Sequence, residues 1–193
     1  VSTALSAMSS WEVVAVILGI GYMVLAAKES LWSWPFAFFS TLIYTIIFWE
    51  GALVSSSLLN FYYMVMAIYG FILWRGEGED KRLKISTWPL TRHIGVIALG
   101  ISLSVLLGYL LSVYTEAKFV YLDALVMVFS IITTWMLAKK VLSNWLYWIV
   151  IDAAAIVLYW QSGYLVTILL FMIYIVLAVY AYTRWRKVHS AGM

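Results

Sequence analysis

The chain has 193 residues, of which 65% are hydrophobic and only 11% are charged, and its mean hydropathy is +0.98. A water-soluble domain of this size needs far more polar surface, so the composition indicates a protein whose solvent is lipid. The absence of cysteine excludes disulfides, thiol catalysis and cysteine metal sites, and a net charge of +3 does not indicate a nucleic-acid partner.

Seven apolar runs follow one another along the chain. A helix of about 17–25 residues is long enough to cross a membrane. The runs lie at about 11–27, 32–49, 53–74, 94–114, 119–138, 145–160 and 164–183. Only the break at 75–92 is long and polar, and Trp88-Pro89 near its end suits a turn before the next helix. The pattern predicts an all-α membrane protein with seven transmembrane helices.

Lysine and arginine are divided unequally between the two sides that these spans define. The loops after the first, third, fifth and seventh spans hold all but one of the 12 residues, and the opposite side holds only Lys118. Because loops rich in Lys and Arg remain in the cytoplasm, the N-terminus is predicted to lie outside the membrane and the C-terminus in the cytoplasm.

The chain also matches itself. Residues 34–75 align without a gap on residues 145–186, at a constant offset of 111. The most telling identities are Trp34/Trp145, Trp49/Trp160, Trp74/Trp185 and Arg75/Arg186. A weaker register extends upstream and pairs Glu12 with Asp123. Repeats of this kind in membrane proteins usually enclose a translocation site, so the pattern indicates a transporter.

The spacing of the two copies defines the architecture. Four crossings separate the matching spans, so the copies run in the same direction and a linker helix must lie between them. This predicts a parallel 3+1+3 arrangement. The first three-helix unit covers residues 1–75, a cytoplasmic loop and the linker helix cover 76–115, and the second unit covers 116–193.

Three polar side chains at membrane depth interrupt the repeat. They are Asn60, Asn144 and Asp152, and their counterparts in the other copy are Phe171, Ser33 and Thr41. Polar groups are costly within the bilayer and mark functional sites there. Because the scaffold is duplicated and these groups are not, the sequence predicts one asymmetric site instead of two equal ones.

The residue types at this site favour a particular ligand. Asn144, Trp148 and Asp152 are spaced i, i+4, i+8 and share one helix face. A carboxylate combined with aromatic rings suits a flat, positively charged ligand. The alternative is that Asp152 only accepts a hydrogen bond from a hydroxyl group on another helix. The predicted substrate-binding set is Asn60, Tyr63, Asn144, Trp148, Asp152, Trp145, Trp34 and Tyr44.

Charged and aromatic residues near the predicted span ends have simpler interpretations. Glu12 and Asp123 open the first and fifth spans, where they either form a gate or complement the helix dipole. No histidine lies at membrane depth and no metal-ligand spacing is present, so neither a metal nor a cofactor is expected. The predicted anchors at the membrane interface are Trp49, Trp74, Trp160 and Trp185.

Two motifs resemble those of a known family. The stretch 58–63 (LLNFYY), followed by Tyr69-Gly70 and Trp74, resembles the third-span motif of the PnuC family of vitamin transporters. The stretch 144–148 (NWLYW), followed by Asp152, is similar to the sixth-span motif of that family. The resemblance covers nearly the whole chain.

This resemblance implies a fold, an activity and partners. The implied fold is like that of a full-length sugar-transporting SWEET, commonly trimeric, in the bacterial inner membrane. The implied activity is facilitated diffusion of an unphosphorylated vitamin, which a cytoplasmic kinase then retains without stable contact. Apart from membrane lipid, the expected partners are therefore the vitamin and the other subunits of a homotrimer.

Two departures from the family pattern bear on the substrate. Nicotinamide riboside carriers of the family typically have Gln at the position of Asn60 and Asn at the position of Asp152. Short members with the acid resemble the thiamine branch, PnuT, so thiamine is the expected substrate. Nicotinamide riboside is the alternative, because both vitamins are cationic.

Other functional classes fit less well. A retinal photoreceptor needs a lysine within the last span, and residues 164–183 contain none. An intramembrane enzyme needs a nucleophile with a base, or a metal cluster, and no His, Cys or Lys lies at depth. Proton-coupled symport through Asp152 remains open beside uniport.

Overall fold

The computed structural model describes residues 10–50, 54–76, 83–114, 119–162 and 165–192. Within these ranges the chain is helical, with no β-strand, which confirms the predicted all-α class with seven helices. The helices are α1 (Ser10–Ala27), α2 (Ser33–Glu50), α3 (Val54–Trp74), α4 (Leu90–Tyr114), α5 (Val120–Ala138), α6 (Asn144–Ser162) and α7 (Leu165–Ala191). Lys81, Arg82 and Lys118, which entered the charge count, lie outside the described residues.

Two helix boundaries differ from the sequence prediction. Helix α4 begins at Leu90 instead of near 94, because Pro89 directly before it suits a helix start and the polar Arg92 and His93 fit its first turn. Helix α7 continues to Ala191, well beyond the predicted end at 183. Its basic last turns contain no helix-breaking residue before Gly192, so the helix continues after its apolar stretch ends.

Among the residues that the structure describes, five helices are long and apolar enough to cross a membrane by length and composition. They are α1, α3, α4, α5 and α7. Helix α6 has a shorter apolar stretch, Asn144–Trp160, and α2 contains Ser33, Ser40, Thr41 and Thr45 among its apolar residues. The two less apolar helices therefore occupy equivalent places in the repeat, and both face the cavity described below.

The helices pack in a pattern that reflects the duplication. Helix α2 packs on α1 and α3, and α6 packs on α5 and α7. The two sets meet where α1 contacts α7 and where α3 contacts α5. Exchanging the first three helices for the last three leaves this pattern unchanged. Helix α4 packs on α5 through its buried Gly100, Ser104 and Gly108, whose small side chains allow close approach.

Basic residues gather at one end of the bundle, here called the lysine-rich end. It contains the C-terminal ends of α1, α3, α5 and α7 and the start of α6. A hydrogen bond from Trp185 Nε1 to the Ala26 carbonyl (3.1 Å) and one from Trp74 Nε1 to the Ala138 carbonyl (3.0 Å) join these ends. The segment before α4 is attached here as well, since the Leu142 amide donates to the Ser86 carbonyl (2.8 Å).

The tryptophans correct part of the sequence interpretation. Trp49 and Trp160 are 65% and 69% exposed, as interfacial anchors would be, but Trp74 and Trp185 are only 7% and 0% exposed. The prediction that these two anchor the membrane interface is wrong. Their indole N–H groups instead satisfy carbonyls at helix ends, where the last residues of a helix lack partners within the helix.

Trp74 and Trp185 belong to a chain of four buried indoles. Trp34 and Trp74 meet edge to face with ring centroids 5.0 Å apart, and their repeat counterparts Trp145 and Trp185 do the same at 5.4 Å. Trp74 and Trp185 lie 6.0 Å apart and connect the two pairs. This tryptophan cluster fills the core at the lysine-rich end.

Candidate functional site

A cavity of about 330 Å³ lies between all the helices except α4. This volume is within the range of small-molecule sites, which is roughly 300–1,000 Å³. Most of the predicted site residues line it: Tyr44, Asn60, Tyr63, Asp123, Trp145, Trp148 and Asp152. The two units therefore contribute to one cavity, as expected for a single asymmetric site.

Three predicted residues do not line this cavity. Trp34 lines a smaller adjoining cavity of about 100 Å³, which shares Tyr63 and Trp148 with the larger one. Asn144 is fully buried, and its amide nitrogen donates to the Val141 carbonyl (2.8 Å) in the turn before α6. Asn144 is the first residue of α6, and it does not line the cavity. Glu12 lies in the first turn of α1 and is not among the residues that line the cavity.

Asp152 is the distinctive charge of the site. It is 3% exposed and lines the cavity, and its carboxylate has no hydrogen bond or salt bridge to any residue that the structure describes. The alternative interpretation, a hydrogen bond from a hydroxyl group on another helix, is therefore not observed. Placing an unpaired carboxylate in a buried, largely apolar setting is unfavourable unless a cation or a proton joins it.

Asn60 supplies a neutral polar group on α3. One N–H of its amide donates to the Ser56 carbonyl (2.9 Å), which fixes the side chain against its own helix. Its oxygen and second N–H have no described protein partner, so both can bind a ligand in the cavity. The site thus presents the Asp152 carboxylate on one unit and the Asn60 amide on the other.

Aromatic rings form much of the remaining wall. Tyr159 and Phe171 are stacked at 5.6 Å with an angle of 18° between their planes, and Phe171 meets Tyr174 edge to face at 6.0 Å. All three line the cavity. Rings of this kind bind flat ligands and favour cations at their faces. These aromatic walls therefore suit reversible binding of a flat ligand. No group of three metal-binding side chains occurs in the described part of the chain.

Sequence reasoning missed three lining residues that the repeat identifies. Tyr174 is the counterpart of Tyr63, Thr41 that of Asp152, and Phe171 that of Asn60, and all line the same cavity. The cavity therefore lies where equivalent positions of the two units face each other. All three would have been predicted if the position matching each predicted site residue in the other copy had also been assigned to the site.

Known proteins match nearly the whole chain. The sequence model of the family described as nicotinamide mononucleotide transporter matches residues 9–187. The riboflavin/roseoflavin transporter RibM of Streptomyces davaonensis is 26% identical over 181 residues, 90% of this chain and 83% of that protein. The nicotinamide riboside transporter PnuC of Escherichia coli is 24% identical over 182 residues, 80% of this chain and 76% of that protein.

A solved structure agrees with the fold. The crystal structure of the vitamin B3 transporter PnuC superposes with a TM-score of 0.76, covering 94% of this chain and 82% of that chain at 22% identity. At this identity the likeness concerns the fold, and the family model together with the relatives identifies the lineage. The chain therefore belongs to the nicotinamide mononucleotide transporter family, of which PnuC is a member, and it is a multi-pass membrane transporter and not an enzyme.

Proposed function

We propose that the chain is a facilitated-diffusion uniporter that imports a small, unphosphorylated, cationic B vitamin. The observation that carries this proposal is the unpaired Asp152 carboxylate in an aromatic cavity between the two units. A monovalent cation neutralises the carboxylate, the rings of Trp148 and the tyrosines cover a planar group, and Asn60 binds an amide or hydroxyl edge.

Nicotinamide riboside is the substrate that the relatives support. PnuC proteins from two further bacteria carry the same name as that of E. coli, and the one from Neisseria mucosa is 25% identical over 188 residues. The pyridinium ring of nicotinamide riboside is flat and positively charged, which suits the aromatic cavity with its carboxylate. Riboflavin, named for RibM, has no positive charge to pair with Asp152 and is therefore a weaker candidate.

Thiamine is the substrate that the residues at the site support. Its thiazolium ring carries a permanent positive charge, and Asp152 and Asn60 both depart from the pattern that the family resemblance gives for nicotinamide riboside carriers. None of the relatives described above is named for thiamine. Thiamine and nicotinamide riboside are therefore kept as the two candidates, and a direct comparison decides between them.

The proposed transport cycle uses two three-helix units, residues 1–75 and 116–193, joined through 76–115. The exchange symmetry of the helix contacts supports this SWEET-like division. The lysine-rich end is proposed to face the cytoplasm, which places the N-terminus outside and the C-terminus inside. We further propose that the chain forms a homotrimer in the bacterial inner membrane. A cytoplasmic kinase then retains the imported vitamin.

A binding titration tests the substrate. Purified protein is titrated with thiamine, nicotinamide riboside, riboflavin and thymidine, the last as an uncharged nucleoside control. The proposal expects one of the two cations to bind at least tenfold more tightly than riboflavin and thymidine. Equal or tighter binding of an uncharged compound would contradict it.

Uptake into proteoliposomes tests the mechanism. A uniporter equilibrates the preferred vitamin at the same rate with and without a proton uncoupler, and it does not accumulate the vitamin above the outside concentration. Uptake that a proton gradient drives, and that the uncoupler abolishes, would establish proton-coupled symport instead.

A further inference from the structure

The ends of α1 and α5 are built as matching turns. Glu29 and Lys140 occupy the same place in the two copies, 111 residues apart. The Ser30 amide donates to the Leu25 carbonyl (3.0 Å), and in the second copy the Val141 amide donates to the Met136 carbonyl (2.9 Å). This bond pattern closes a helix with a Schellman turn, whose residue after the helix takes a left-handed conformation.

Glu29 and Lys140 are unusual residues for this place. Their φ angles are 55° and 51°, in the region where glycine is favoured because it has no Cβ. Glycine would make the same turn without the steric cost. A glutamate in one copy and a lysine in the other therefore indicate that the side chains contribute something that the turn alone does not need.

The two side chains meet across the interface of the units. Lys140 Nζ lies 2.8 Å from Glu29 Oε2, and the side chains are only 10% and 22% exposed. The ammonium group also lies 4.7 Å from the centre of the Trp74 ring, which adds a cation–π contact. Partial burial limits screening by salt, so this pair is stronger than an ordinary surface ion pair.

The ion pair and Trp74 line a cavity of about 810 Å³ at the lysine-rich end, which shares no lining residue with the binding cavity. The ion pair lies beside the tryptophan cluster, whose Trp74 and Trp185 each donate to the last turn of the first helix of the opposite unit. The binding cavity extends from the cluster, where Leu137 and Trp145 line it, to Asp123 in the first turn of α5. A ligand that leaves the cavity through the lysine-rich end must separate these contacts.

We propose that Glu29 and Lys140 form an ionic latch that holds the lysine-rich end shut and breaks once in each transport cycle. The inference rests on the proposed transport function. It assigns the two repeat-related residues a conformational role, with the latch closed in this structure. When the ion pair between Glu29 and Lys140 is broken, the cavity opens to the lysine-rich end.

Glycine variants test whether the side chains hold the end shut. Glu29→Gly and Lys140→Gly each remove the ion pair, and the relief of the left-handed backbone offsets part of the stability that the pair contributed. In a Thr41→Cys background the only thiol lies in the cavity, because the natural chain has no cysteine. We expect a membrane-impermeant maleimide, applied from the lysine-rich side, to label this thiol at least threefold faster in both variants.

Lys28→Ala is the matched control, because Lys28 is an exposed lysine next to Glu29 outside the ion pair. It should leave the labelling rate unchanged. Restoring opposite charges with Glu29→Lys combined with Lys140→Glu should return slow labelling. Unchanged labelling in both glycine variants would overturn the latch. The labelling arm measures no transport, so it decides the latch independently of the vitamin assignment.

A reversible cross-link tests whether the end must open. Glu29→Cys combined with Lys140→Cys supplies the only two thiols, and a reducible bifunctional methanethiosulfonate reagent joins them. We expect vitamin binding within twofold of the uncross-linked protein, uptake reduced at least tenfold, and full recovery on reduction. Unreduced uptake by the cross-linked protein would overturn the proposal. If the wild-type chain transports neither vitamin, the proposed function fails separately.

Discussion

Replacing Asp152 by asparagine removes the charge of the site while keeping the shape of the side chain. A thiazolium cation about 4 Å from the carboxylate gains roughly 4 kcal/mol at an effective dielectric constant near 20. Desolvation of both ions offsets part of this gain, so we expect a net loss of about 1.5–3 kcal/mol. Thiamine should therefore bind roughly 10- to 150-fold more weakly to Asp152→Asn.

Calorimetric titration of the purified variants measures this effect. Asp123→Asn is the matched control, because Asp123 is an exposed carboxylate on the same cavity and should cost less than about threefold in affinity. Nicotinamide riboside should lose less than thiamine from Asp152→Asn, since the resemblance places asparagine at this position in nicotinamide riboside carriers. Unchanged affinity for both vitamins would refute the assignment of Asp152 to the site.

Two further predictions concern the tryptophan cluster, and thermal unfolding in detergent measures both. Gly70→Ala should destabilise by about 1–3 kcal/mol, because the new Cβ would overlap the buried Trp34 ring, whereas Gly95→Ala meets no atom within 4 Å and should be neutral or stabilising. Trp185→Phe should cost about 1–3 kcal/mol by removing the hydrogen bond from the indole to the Ala26 carbonyl and leaving a void in the cluster, and Trp160→Phe, on an exposed ring, should cost almost nothing. An equal cost within either pair would contradict the packing argument.

The scaffold could be predicted from the sequence because two physical constraints act along the chain itself. Bilayer thickness sets the length of the apolar runs. The cost of moving basic loops across the membrane determines which loops between the helices carry lysine and arginine. Both constraints are local, so they needed no knowledge of packing. The assignment of Trp74 and Trp185 to the interface failed because it depended on packing: an indole at a span end serves equally well as an anchor or as a partner for a buried carbonyl.

The site was predicted in part for the same reason. Asn60 and Asp152 could be identified because a polar group inside an apolar run is costly whatever surrounds it. Tyr174 could not be identified in this way, because tyrosines are common in membrane helices and its role depends on facing Tyr63 across the two units. Asn144 shares a helix face with Trp148 and Asp152 but does not line the cavity, because periodicity assigns a helix face and cannot say where along the helix the cavity begins.

Divergence between the copies makes both the binding site and the latch possible. Identical copies would place two carboxylates at positions 41 and 152, and like charges facing one cavity would repel each other. One carboxylate opposite Thr41 neutralises one monovalent cation without a like charge at the matching position of the other copy. Identical copies would likewise place two like charges at 29 and 140, where the structure has a salt bridge. The duplication supplies two units that face each other, and opposite or unequal side chains at matching positions supply the chemistry that binds a ligand and closes one end.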